Sequence, residues 1–258
     1  MKPRPSFPAQ LHAPASAARS SMSAAKPQLL ASIASGARPQ GLGMDSSAVR
    51  LNMVQKLQGQ GVTDPAVLHA MGAIERHRFV DTALANQAYE DTSLPIGLGQ
   101  TISKPGVVSR MAELLRNGAA GRLGRVLEIG TGCGYQAAVL SLLATEVYSI
   151  ERLRGLHDKA RENLRHLRLP NVHLLFGDGM EGYAKGAPYA AIIAAAGGEA
   201  VPRAWVDQLA VGGRLVAPVA AGPGSTRQAL LVLDKTPQGV LQTLLEAVQF
   251  VPLKSGVA

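Results

Sequence analysis

The segment Glu128-Ile129-Gly130-Thr131-Gly132-Cys133-Gly134-Tyr135 decides the fold. It follows a short apolar run, Val126 to Ile129, and precedes a stretch with helical spacing, Gln136 to Leu143. Strand, glycine turn and helix in that order open a doubly wound α/β unit. Glycines let such a turn bend sharply and let a ligand approach the main chain. A dinucleotide fingerprint, G-x-G-x-x-G, would need its third glycine at position 135, which is tyrosine. The observed G-x-G-x-G, with Glu128 two residues before Gly130, suits S-adenosylmethionine, which has no pyrophosphate to seat on the helix N-terminus. Glu128 can face the ammonium group of that ligand or orient the turn.

Outward from this turn, strands and helices alternate. Glu146–Ile150 reads as a second strand and is followed by Glu151, 21 residues after Gly130. An acid there accepts hydrogen bonds from ribose hydroxyls, a spacing shared with NAD-binding proteins. Leu153–Leu167 reads as a basic amphipathic helix and Val172–Phe176 as a third strand, which runs into Gly177-Asp178-Gly179. Asp178 can take an adenine amino group or simply make an Asp-Gly turn. Ala190–Ala194 and Arg214–Ala217 read as further strands, and Ala229–Leu233 with Leu241–Val251 as a closing antiparallel pair. The expected fold class is α/β, a doubly wound Rossmann-like sheet with an N-terminal helical segment. Three ligand-facing loops then lie at the carboxyl ends of consecutive strands, where open α/β sheets bind ligands.

Ahead of the sheet, Val49, Met53 and Leu57, then Val67, Leu68, Met71 and Ile74, follow helical spacing. Thr63-Asp64-Pro65 is a good start for the second helix. Ser93–Ser103 reads as a Gly/Pro-bearing loop, Pro105 opens a third helix, and Gly118 and Gly121 end it. Residues 1–43 carry five bases and no acid and are rich in Ala, Pro and Ser, so they are expected to form a disordered basic extension; an organelle transit peptide is the alternative. Residues 44–258 are expected to form one domain, with N-terminal helices and an active-site loop over 44–121 and the ligand-binding core over 122–258.

The 258 residues carry a net charge of +8, which invites a nucleic-acid reading. Five of those charges belong to residues 1–43, and the remaining +3 equals the net charge of the basic helix region, 151–169. A nucleic-acid partner is therefore not expected. The single cysteine, Cys133, excludes an intramolecular disulfide and a cysteine-based zinc cluster. The six histidines show no metal-ligand spacing, and no apolar run is long enough for a membrane helix.

The chain resembles the protein-L-isoaspartate O-methyltransferase family over about residues 45–253. The carrying segments are Arg76-His77-Arg78-Phe79-Val80, Ala88-Tyr89-Glu90-Asp91, Leu94-Pro95-Ile96-Gly97, Gln100-Thr101-Ile102-Ser103, VLEIGTGCGYQAAVL at 126–140, YSIERL at 148–153, the segment at 171–189, QLAVGGRLVAPV at 208–219 and FVPL at 250–253. The resemblance implies methyl transfer from S-adenosylmethionine to the α-carboxylate of isoaspartyl residues in damaged peptides and proteins. The ester then cyclises to a succinimide, which allows repair. It implies cofactor contacts from Gln100, Thr101, Ile102, Ser103, Glu128, Gly130, Thr131, Gly132, Glu151, Asp178 and Gly179, with Ser103 positioning the substrate carboxylate. The residues alone also allow Ser103 to cap the helix opening at Pro105. No metal is expected, and the protein is expected to be a cytoplasmic monomer with no membrane partner. The chain departs from the family pattern at Leu98 (often His), Ala190 (usually Asp), Ala194–Gly197 (a Thr-Ala-Ala segment) and Cys133 (commonly Ser). Two other readings are a methyltransferase with a small-molecule or RNA substrate and a non-catalytic relative that keeps the fold.

Overall fold

The computed structural model describes residues 47–222 and 224–258, so the expected extension over 1–43 lies outside the described residues. Two helices come first, α1 (Ser47–Gly59) and α2 (Pro65–Ala73). Asp64 caps α2, accepting from the Ala66 and Val67 amides, and Pro65 occupies the first turn, where its missing N–H costs nothing. Ser93–Ser103 is not a plain loop. It contains an antiparallel hairpin, β1 (Leu94–Gly97) and β2 (Gln100–Ile102), whose turn holds Gly97, Leu98 and Gly99 all at positive φ. Leu94 and Ile96 face inward while Pro95 and Gly97 face out, a period-two pattern too short to stand out in sequence.

Helix α3 (Pro105–Arg116) follows and ends on Asn117 in the left-handed conformation, one residue before the expected Gly118. Arg116 ties its last turn back to α2, donating from Nε to Asp64 at 2.7 Å and from its two Nη atoms to the Gly121 and Ala119 carbonyls.

Strands and helices then alternate: β3 (Leu123–Ile129), α4 (Tyr135–Leu143), β4 (Ala144–Glu151), α5 (Arg154–Arg165), β5 (Val172–Phe176), β6 (Tyr189–Ala194), α6 (Arg203–Gln208) and β7 (Leu209–Ala220). The hairpin β8 (Gln228–Thr236) and β9 (Gly239–Val248) closes the series. The seven-stranded sheet has the order β5-β4-β3-β6-β7-β8-β9, with β3 to β7 parallel and the last two pairings antiparallel. Side chains alternate across it. Val126, Ala191, Ile193 and Val216 pack with Met111 and Leu115 of α3 on one face; Leu127, Ile129, Ile192 and Leu215 pack with Trp205 on the other. Strand β9 stops at Val248. Residues 249–253 leave the sheet, and Val251 and Leu253 bond to Gly197 beyond the end of β6. Among the described residues, no helix is long and apolar enough to cross a membrane.

Candidate active site

The strand order reverses about β3, and the site is built from the carboxyl ends of the strands around it. Pairing sets Ile129 beside both Ile150 and Ala194, and Glu151 beside Phe176, so the turns after β3, β4, β5 and β6 emerge level with one another. The Gly130 and Thr131 amides bond to the Ile150 carbonyl, which folds the glycine turn over the end of β4. Gly134 has φ +91, and a Cβ there would meet Leu164 of α5 at 3.0 Å. Backbone freedom and close helix packing therefore both select glycine.

Glu128 is fully buried beneath this turn and accepts a hydrogen bond from Ser149 Oγ at 2.5 Å; that hydroxyl lies 2.6 Å from Thr131 Oγ1. Burial raises the Glu128 pKa to about 8, against the lowering influence of Ser149 and Gln136. Glu128 does not line the cavity described below, so its place matches the turn-orienting reading. Glu151 does line that cavity. Its Oε2 accepts from the Gly132 amide at 2.8 Å and its Oε1 from Leu153 at 3.0 Å, and the carboxylate keeps further lone pairs for a ligand.

A cavity of about 260 Å³ brings together Gln100, Thr101, Ile102, Ser103, Gly130, Thr131, Gly132, Glu151 and Gly179. Beside it runs a wider groove of about 1300 Å³ between α3 and the end of β9. Thr101, Ser103, Ala195 and Val251 line both spaces and form the boundary between them. Ser103 does not cap α3. Lys104 occupies the cap position without a side-chain bond, and Asp91 accepts from the Gly106 amide at 2.7 Å instead. The capping alternative for Ser103 is thereby removed. Cys133 is buried and its thiol pKa is raised by that burial, which suits a packing role.

Asp178 lies just outside the cavity wall. Its Oδ1 accepts from the Met180 amide at 2.8 Å and its Oδ2 from Gly256 at 2.5 Å. The segment around Gly256 is fastened to the start of α5. Arg152 Nε donates to the Gly256 carbonyl, and residues 152 and 154 exchange main-chain bonds with Ala258. Trp205 Nε1 donates to the Gly179 carbonyl at 2.8 Å, fixing that turn from below.

Sequence reasoning did not place Gln136 or Val251–Lys254 in the site and marked Ala195-Ala196 only as part of the departure at 194–197; all of them line the cavity. Gln136 Nε2 is buried and has no hydrogen-bond partner among the described residues. The only available signal for Val251–Leu253 was the family segment at 250–253. S-adenosylmethionine fits this lining: the glycine turn lets it approach the main chain, and the Glu151 carboxylate suits its ribose. Among the described residues, no group of His, Cys, Asp and Glu could hold a metal ion.

A doubly wound seven-stranded sheet, a G-x-G-x-G turn at its switch point and a cavity-facing acid after the next strand define a class I S-adenosylmethionine-dependent methyltransferase. The family profile described as protein-L-isoaspartate(D-aspartate) O-methyltransferase matches residues 48–258. The chain belongs to that family. It is 61% identical over 223 residues to a protein-L-isoaspartate O-methyltransferase of Methylibium petroleiphilum, covering 86% of this chain and 82% of the relative. It is 59% identical over 220 residues to one of Leptothrix cholodnii, covering 84% and 77%. A solved protein-L-isoaspartate O-methyltransferase structure superposes with a TM-score of 0.71 at 27% identity, over 81% of this chain and 67% of that one. A Plasmodium falciparum structure in complex with S-adenosyl-L-homocysteine shares the fold, with a TM-score of 0.67 at 22% identity over 80% of this chain and 98% of that one.

Proposed function

We propose that the two adjoining spaces hold the two reactants of a protein-L-isoaspartate O-methyltransferase and that Ser103 aligns them. The observation carrying this reading is the shared boundary of Thr101, Ser103, Ala195 and Val251, the place where a methyl group must cross. S-adenosylmethionine, when bound, supplies a methyl group on a sulfonium, and the electron pair of the broken C–S bond leaves with sulfur. Glu151 accepts from the ribose hydroxyls, and Asp178 takes the adenine amino group in competition with the Gly256 amide. Gln100, Thr101 and Ile102 with Gly130, Thr131, Gly132, Gln136 and Gly179 shape the wall. Glu128 acts through the turn.

The acceptor is the α-carboxylate of an isoaspartyl residue in a peptide or protein lying in the wider groove. It is ionised at neutral pH, so the chain need not supply a general base. What the chain supplies is alignment and partial exclusion of water. The Ser103 hydroxyl makes no hydrogen bond to the described residues and is available to donate to one carboxylate oxygen, leaving the other to attack. To this reading we add a monomer acting in the cytoplasm, with no nucleic-acid or membrane partner.

Replacing Ser103 by alanine tests the assignment. Losing one hydrogen bond to a charged group is expected to lower kcat/KM for an isoaspartyl peptide about 10- to 100-fold. Calorimetric affinity for S-adenosylhomocysteine should stay within about twofold. Wild-type turnover would remove Ser103 from the reaction.

A further inference from the structure

Arg76 lies outside the walls of both spaces, yet it is bonded to the residue at their boundary. Its side chain is fully buried. Nε donates to the Ala88 carbonyl at 2.8 Å and Nη2 to the Ser103 carbonyl at 2.7 Å. Nη1 has no hydrogen-bond partner among the described residues, and Asp91 acts on the guanidinium only at longer range. The guanidinium lies over the ring of Tyr135, 4.8 Å from its centroid, and Tyr135 is itself a wall of the cofactor cavity. A buried cation without an ion pair among the described residues is costly. The bridge to Ser103 gives a reason for keeping it. Ser103 sits between β2, which ends at Ile102, and α3, which starts at Pro105, so neither ladder nor helix holds its carbonyl.

We infer that Arg76 is a positioning residue for methyl transfer: it pins the Ser103 main chain, and through it the direction of the Ser103 hydroxyl, at the boundary of the two reactant spaces. The inference rests on the role given above to Ser103. Lysine can keep the charge but cannot hold two carbonyls from one planar fork. Glutamine keeps some of the donor capacity without burying a charge. Each change lets the hydroxyl drift, and misplacement on the order of 1 Å costs about 100-fold in rate. Where the hydroxyl is already absent, drift has little left to cost.

A double-mutant cycle decides the matter. Arg76→Lys and Arg76→Gln are each made in the wild-type chain and in the Ser103→Ala chain. Melting temperature, calorimetric affinity for S-adenosylhomocysteine, and kcat and KM for an isoaspartyl peptide are then measured. In the wild-type chain, a folded Arg76 variant should lose tenfold or more in kcat/KM while cofactor-product affinity moves less than threefold. In the Ser103→Ala chain, the same substitution should cost less than threefold. Equal losses in both backgrounds, with Ser103→Ala itself impaired, would overturn the role of Arg76 and leave that of Ser103 standing. Wild-type turnover in Ser103→Ala alone would remove the Ser103 role, and this inference with it. Failure of both Arg76 variants to fold would mark a structural residue only and would also overturn the inference.

Discussion

Glu128 illustrates what one residue can and cannot reveal from sequence. Its position two residues before Gly130 was legible, but its direction was not, because an acid in that place can point at a ligand or into the core. Burial against Ser149 decides, and it leaves the carboxyl protonated at neutral pH, with a pKa of about 8. The unfolded chain ionises near the ordinary glutamate value of about 4.3, so between these two values the folded state holds the extra proton. Glu128 therefore stabilises the fold fully below the unfolded pKa, and this contribution is lost as pH rises towards 8. The slope is at most about 1.4 kcal/mol per pH unit. Glu128→Gln, which is neutral at every pH, should flatten the decline in melting temperature between pH 5 and 8 in calorimetry. Parallel profiles for the two proteins would show that Glu128 is ionised in the fold. Ser103 was legible only through its family segment, since Ser-Lys-Pro is also a good helix start; Asp91, twelve residues earlier, takes the capping role instead. That exchange depends on a tertiary contact between the segment before β1 and α3.

Among the elements, the alternating strands and helices from β3 to β6 were readable from their apolar periods, and β3, β4 and β5 also end at a Gly or acid signal. The β1–β2 hairpin was not. Its strands are four and three residues long, and its turn places Leu98 at φ +52, a conformation that sequence rules assign to glycine or asparagine. The departure of residues 249–253 from β9 was also hidden, because Val251 continues an apolar pattern while bonding to Gly197 rather than to a strand of the sheet. The segment following it occupies Asp178 through Gly256. On the proposed reading the Gly256 amide competes with adenine for Asp178 Oδ2, so a chain ending at Lys254 should bind S-adenosylhomocysteine more tightly. One net hydrogen bond corresponds to roughly 2- to 10-fold, read by isothermal calorimetry. Unchanged or weaker binding would show that residues 255–258 do not compete for the adenine position.

At the scale of the whole molecule, the +8 charge suggests a nucleic-acid partner until it is sorted along the chain. The +3 carried after residue 43 equals the net charge of the region of α5, whose buried residues Leu156, His157, Ala160 and Leu164 face the protein while most of its charges face water. Topology carries the function instead. Parallel strands about a reversal in order bring four turns to one level, and the N-terminal hairpin completes the cavity from outside the sheet. The sheet could be inferred from local periods. The junction of the two spaces could not, because it joins residues near 103, 195 and 251, which only the complete fold brings together.

The most direct test of the central claim is labelled methyl transfer from S-adenosylmethionine to a pair of peptides differing only in an isoaspartyl or an aspartyl residue. The account predicts base-labile label on the isoaspartyl peptide and none on its aspartyl partner. Equal label on both peptides, or no label on either from protein that binds the cofactor, would contradict it.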